Sequence, residues 1–112
     1  HVRFELNIEN VHLDIIKAVP IGLIINELLT NAFVHAFDEE TSGLICISLL
    51  EDKGKGYRLK VQDNGYGLPE DFDIKNQTSL GMNLVDILTQ QIDGNLTLDT
   101  GPGTTFIIDF PI

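Results

Sequence analysis

The chain has 112 residues and carries 17 acidic against seven basic side chains, a formal net charge of −10, so it has the length for one core and is read as a single domain over residues 1–112. That acidic balance, with the basic residues scattered, excludes a nucleic-acid-binding surface. The longest apolar run, Ala18 to Ile25, is interrupted by Pro20 and Gly22 and is far too short to span a bilayer, so no membrane contact by this domain is expected.

Val2 to Glu9 alternates apolar and polar residues, the period of a half-buried strand, and it opens the chain with no secretory leader ahead of it, as in a piece of a longer protein. His12 to Ile15 is expected to form a second short strand. Pro20 suits the first turn of a central helix whose main body is Ile24 to Phe37. That helix is apolar almost all round, with Ile21, Ile25, Leu28, Ala32 and Ala36 in one stripe, and is therefore expected to be largely buried. A polar turn, Asp38 to Gly43, leads into the apolar run Leu44 to Leu50, a central strand holding Cys46 as a buried free thiol in a reducing compartment. No zinc-type spacing accompanies it. The Asp52–Gly56 connection is a glycine-rich hairpin, and Tyr57 to Gln62 returns antiparallel with Arg58 and Lys60 facing out.

Regularity stops from Asp63 to Ser79, a loop long enough to suggest function. Leu80 to Ile92 resumes as a helix with Leu80, Leu84, Ile87, Leu88 and Ile92 on one side and Gly94 as its stop. Asn95 to Thr100 and Thr104 to Phe110 form two strands joined by Gly101-Pro102-Gly103. The order strand, helix, hairpin, long loop, helix, hairpin predicts an α/β (α+β) two-layer sandwich, with two helices on one face of a mixed, mostly antiparallel sheet.

Glu27, Asn31 and His35 fall four residues apart and rise as a polar ladder on the otherwise apolar helix. Such groups need partners where they are buried, from the protein or from a ligand and metal, and a solvated helix edge is the plain alternative. Asp63-Asn64-Gly65-Tyr66-Gly67 ends a strand; by itself it is a common turn. Ser79-Leu80-Gly81-Met82 opens a helix whose free N–H groups suit phosphate, or is simply a capped helix start. No Walker A sequence or dinucleotide-binding glycine motif is present.

Asn26 to Ala32, then Asp63-x-Gly65-x-Gly67, then Leu80-Gly81-Met82, then Gly103-Thr104, together resemble the ATP-binding domain of sensor histidine kinases. These belong to the superfamily that includes gyrase, the heat-shock chaperone ATPases and the mismatch-repair ATPases. The resemblance spans nearly the whole chain and implies a Bergerat-type ATP-binding fold with a short lid between Gly67 and Gly81. By position it implies that Asn31 coordinates Mg²⁺ on the phosphates of ATP and that Glu27 holds the place of a general base. Asp63 would accept from the adenine 6-amino group. Gly65 and Gly67 would let backbone pass close to the nucleotide, and Gly81 would hinge the lid. Thr104 would lie near the adenine, and His35 would line the pocket.

Two departures qualify the match. Val34 stands where histidine kinases often carry a lysine, leaving Lys75 in the lid as the substitute phosphate contact, and the glycine doublet at the lid hinge is reduced to Gly81. The implied function is a cytoplasmic two-component kinase domain, whether or not its parent is membrane-anchored. Its partners would be ATP, a separate dimerisation domain bearing the acceptor histidine, and a downstream response regulator. The alternatives are an anti-sigma serine kinase of the same superfamily, which also has an apolar residue at the Val34 position, and a degenerate binding domain without turnover.

Overall fold

The computed structural model of the chain describes residues 2–9, 11–33, 43–52, 54–65, 80–99 and 103–111. Seven elements follow one another: β1 (Val2–Ile8), α1 (Ile15–Asn31), β2 (Gly43–Glu51), β3 (Tyr57–Asp63), α2 (Leu80–Gln91), β4 (Asn95–Asp99) and β5 (Thr104–Phe110). The strands form one sheet in the order β1-β2-β3-β5-β4. β1 runs parallel to β2, and the other pairs are antiparallel, so the expected mixed, mostly antiparallel sheet is present.

Period-two alternation decides which face of the sheet is covered. Ile45, Ile47 and Leu49 of β2, Leu59, Val61 and Asp63 of β3, and Thr104, Phe106, Ile108 and Phe110 of β5 are all buried beneath the helices. The intervening residues, Arg58 and Lys60 among them, lie on the open face. Cys46 is there too, which corrects its expected burial: it is half-buried and its thiol donates to Glu5 Oε2 at 3.6 Å. Burial and the neighbouring Glu5 carboxylate raise its pKa. β1 is less covered than its alternation suggests. As an edge strand it has a sheet neighbour on one side, and Phe4, Leu6 and Ile8 stay more than half exposed.

α1 starts nine residues earlier than the predicted body of the central helix, and no strand forms at His12 to Ile15. Asp14 is its N-cap, with the carboxylate accepting from Ile16 N at 3.4 Å and the carbonyl accepting from the Lys17 and Ala18 N–H groups. This cap overrides the strand preference of the β-branched pair Ile15-Ile16. Pro20 therefore lies inside the helix rather than in its first turn. The carbonyl it leaves without a donor belongs to Ile16, which is 75% exposed, so water can serve it.

The inner face of α1 is Pro20, Ile21, Ile24 and Leu28. Of the predicted helix body, expected to be largely buried, Ile24, Leu28 and Ala32 are buried and Phe33 is exposed, while the turns ahead of it leave Ile15, Ile16, Val19 and Leu23 exposed. On α2 the inner face is Met82, Val85, Leu88 and Thr89, continued by Ile92 just past its end, with Ile87 exposed, so it is turned by a residue or so from the predicted stripe. α2 ends through Asp93, which takes the positive φ of 55° expected of a glycine, while Gly94 N–H bonds the Thr89 carbonyl at 2.9 Å.

The N-terminal end of α1 is pinned to one end of the sheet. Lys17 Nζ donates to the Pro111 carbonyl, and Tyr57 OH donates to the His12 carbonyl at 3.3 Å, with the Tyr57 and Phe110 rings 5.4 Å apart. Seventeen helical residues extend about 25 Å, and seven strand residues about 23 Å. α1 is thus about as long as β3. α2 starts against Glu27 and Asn31, and Gly94 just after it packs on Ile108 near the pinned end, so the C-terminal turns of α1 lie toward the opposite end, where β3 finishes and β5 begins.

Candidate functional site

That opposite end gathers the sequence motifs. Asp63 and Thr104 are paired across β3 and β5, and both side chains are buried on the helix-covered face. Gly103 lets the strands meet there: a Cβ on it would collide with the Asp63 carbonyl, which is backbone and cannot move aside. Asp63 Oδ1 accepts from Gly65 N at 2.8 Å, an Asx turn that folds the glycine back over the carboxylate. Burial raises the Asp63 pKa, and the N–H groups of Gly65 and Thr104 pull it the other way. Asn64 ties the same turn to β2. Its amide oxygen accepts from Leu44 N at 2.8 Å, and its own N–H reaches the Leu44 carbonyl at 3.2 Å.

The helices bring the second group. Glu27 and Asn31 lie one turn apart on α1, both half-buried, and face the start of α2. A Cβ on Gly81 would lie 2.6 Å from Glu27 Oε2, so the glycine is what allows that carboxylate against the first turn of α2. Asn31 Nδ2 donates to Met82 Sδ at 2.7 Å. With the amide nitrogen engaged in this way, Asn31 Oδ1 is the atom left to accept or ligate.

Of the predicted site residues, Glu27, Asn31, Asp63, Gly65, Gly81 and Thr104 are therefore brought to one end of the molecule. His35, Gly67 and Lys75 lie outside the described residues, as does Val34. Sequence reasoning quoted Met82 and Gly103 in its motifs without giving either a task. The glycine beside a strand start was a readable sign of close backbone approach, whereas no sequence signal pairs Met82 with Asn31.

The charge balance bears on a metal. Of the described cations, Lys17 holds Pro111 at the far end, Arg58 pairs with Asp109 and Lys60 is on the open face, whereas Arg3 stands at this end of the sheet in register with Leu44. No group of three or more His, Cys, Asp or Glu able to hold a metal occurs among them. The donors present, a carboxylate and an amide oxygen one turn apart, fit Mg²⁺, a hard ion that takes one or two protein oxygens and completes its shell with phosphate and water. No helix among the described residues is long and apolar enough to cross a membrane.

Residues 16–112 match the family described as histidine kinase-, DNA gyrase B- and HSP90-like ATPase. The chain is 34% identical over 112 residues to blue-light-activated histidine kinase 2 of Erythrobacter litoralis, covering 99% of this chain and 32% of that protein. To the sensor histidine kinase PdtaS of Mycolicibacterium smegmatis it is 34% identical over 104 residues, covering 89% of this chain and 21% of the relative. The solved histidine kinase domain of the Erythrobacter litoralis EL346 blue-light-activated kinase superposes with a TM-score of 0.90 at 34% identity, over 98% of this chain and 51% of that one. The chain thus spans a third or less of the length of these two curated relatives.

Proposed function

Because the chain belongs to the histidine kinase-, DNA gyrase B- and HSP90-like ATPase family, we propose that it binds Mg²⁺–ATP and presents the γ-phosphate to a histidine on a separate domain. The single observation that supports this reading is a buried carboxylate at the strand end toward which the polar C-terminal turns of α1 also lie. Asp63 sits at the strand end, and Glu27 and Asn31 face the glycine start of α2.

Asp63 accepts from the 6-amino group of adenine through the carboxylate oxygen that Gly65 leaves free. Guanine offers a carbonyl at that position, so the same carboxylate discriminates against GTP. Thr104, its cross-strand partner, lies beside the base, and Gly65 and Gly67 allow the backbone to approach it. Asn31 Oδ1 contributes the protein ligand to Mg²⁺, whose charge neutralises the phosphates when bound. That neutralisation matters in a chain of net charge −10 with Val34 where a lysine could have stood. His35 and Lys75 are proposed to line the phosphate side. Glu27, next to the first turn of α2, is proposed to take the proton released by an attacking imidazole. The remaining rate enhancement comes from alignment and charge stabilisation.

The acceptor histidine belongs to a dimerisation domain of the parent kinase, the phosphate passes on to a response regulator, and the domain works in the cytoplasm. Incubation with γ-labelled ATP and a separately supplied acceptor hairpin tests this. Acid-labile label on the hairpin and none on this chain is expected, with slow transfer because the two parts are untethered. Acid-stable label on a serine of a protein partner would replace the reading with the anti-sigma serine-kinase alternative.

A further inference from the structure

An asparagine can ligate a cation only through Oδ1, yet its two ends are nearly the same size and exchange by rotation about one bond. In the wrong orientation the two N–H bonds point at the metal and repel it. Something must therefore choose the orientation, and among the described contacts of Asn31 the group touching its amide is the sulfur of Met82, 2.7 Å from Nδ2. A thioether accepts and cannot donate, so it satisfies the nitrogen end and opposes the lone pairs of the oxygen end. Met82 is 7% exposed, third in α2, and packed in the core, so the sulfur is held in place by the fold.

We infer that Met82 is a positioning residue for the metal: its buried sulfur fixes the Asn31 carboxamide with Oδ1 turned toward the nucleotide, ready to ligate, before Mg²⁺ arrives. This rests on the Mg²⁺–ATP reading above and assigns to α2 a part in building the metal site from behind. It also couples the two helices, since any shift of the first turn of α2 moves the sulfur and frees the amide to rotate.

Met82→Leu keeps volume and apolarity and removes the acceptor. If wild type holds about nine-tenths of its population in the competent orientation and the leucine variant about half, the apparent affinity for Mg²⁺–ATP falls about twofold. Affinity for ATP in EDTA should not change. The Asn31→Asp background supplies the control, because a carboxylate presents oxygen either way: there Met82→Leu should have no effect on Mg²⁺–ATP affinity. The metal-free protein offers an independent readout. In nuclear magnetic resonance spectra the Asn31 side-chain N–H signals should show contacts to the Met82 methyl, and should move toward solvent-exposed values in Met82→Leu.

Equal losses with and without Mg²⁺, equal losses in both backgrounds, or Asn31 signals that stay put would each overturn the inference. A wild-type protein whose ATP affinity ignores Mg²⁺ would instead overturn the metal reading, and the metal-free spectra would still decide whether Met82 orients the amide.

Discussion

Replacing Gly81 by alanine should separate stability from catalysis. The new Cβ would lie 2.6 Å from Glu27 Oε2, where ordinary contact begins near 3.4 Å, so the carboxylate must retreat by about 0.8 Å. The neighbour that gives way is the end of a flexible side chain, so the retreat costs little. Alanine meanwhile favours helix over glycine by roughly 0.5–1 kcal/mol, less near a helix start. The fold should therefore be unharmed or slightly stabilised, with the melting temperature unchanged or up by about 2–4 °C. Phosphotransfer should suffer, since a misplacement near 1 Å at a reacting group can cost about a hundredfold in rate. Thermal denaturation, ATP titration and single-turnover transfer from γ-labelled ATP to an acceptor domain measure the three terms. Because Gly81 also stands at the proposed lid hinge, Glu27→Gln and the double variant are needed. If the alanine acts by moving Glu27, the double variant is no slower than Glu27→Gln alone. Wild-type transfer by Gly81→Ala, or fully additive losses, would refute the argument that the glycine exists to seat the carboxylate.

Three further outcomes follow from the same geometry. Asp63→Asn should weaken ATP binding about ten- to a hundredfold by calorimetry, the loss of one hydrogen bond to a charged group. The Asp63 pKa is raised in the fold, so its contribution to stability is complete below the ordinary aspartate range and is lost as pH rises through the raised value. Urea denaturation across pH should accordingly show the stability of wild type relative to Asp63→Asn greatest in acid and declining upward. Asn31→Ala should abolish the Mg²⁺ dependence of ATP binding while costing about 1 kcal/mol of stability or less, because the side chain is half-buried and gives up a single weak bond to sulfur. Gly103→Ala sets backbone against backbone at the Asp63 carbonyl and should destabilise by roughly 2 kcal/mol or more, read as a lower urea midpoint, with ATP binding lost in proportion.

The sheet was legible from two different signals. β3 alternates in sequence as it does in burial, whereas β2 reads as an uninterrupted apolar run between turns, and which of its residues face the core follows only from the pleat. The start of α1 was not legible. Ile15-Ile16 looks like strand, and Pro20 looks like a helix beginning, until Asp14 is seen to cap the turn before them. Burial on that helix was over-read at Phe33, which is 63% exposed: an apolar residue gains cover only on the side of a helix that meets the sheet or the other helix. In the site, Asn31 and Glu27 could be chosen because polar groups in apolar surroundings advertise a need for partners, whereas Asp63 sits in what by itself is a common turn and was picked out only by the resemblance of the motif set. The Met82 sulfur and the Gly103 approach depend on which strands and helices meet in space. A linear motif carries the residues of those contacts but not the contacts themselves.

The claim that Asp63 and Asn31 together form a Mg²⁺–adenine nucleotide site is tested most directly by one calorimetric series on the wild-type chain: ATP and GTP, each with Mg²⁺ and with EDTA. ATP with Mg²⁺ should bind at a single site, more weakly in EDTA, and GTP should bind at least about tenfold less tightly under both conditions. Equal affinity for the two nucleotides would contradict the role of Asp63. Affinity for ATP that is the same with and without Mg²⁺ would contradict that of Asn31, and no binding of either nucleotide would contradict the account as a whole.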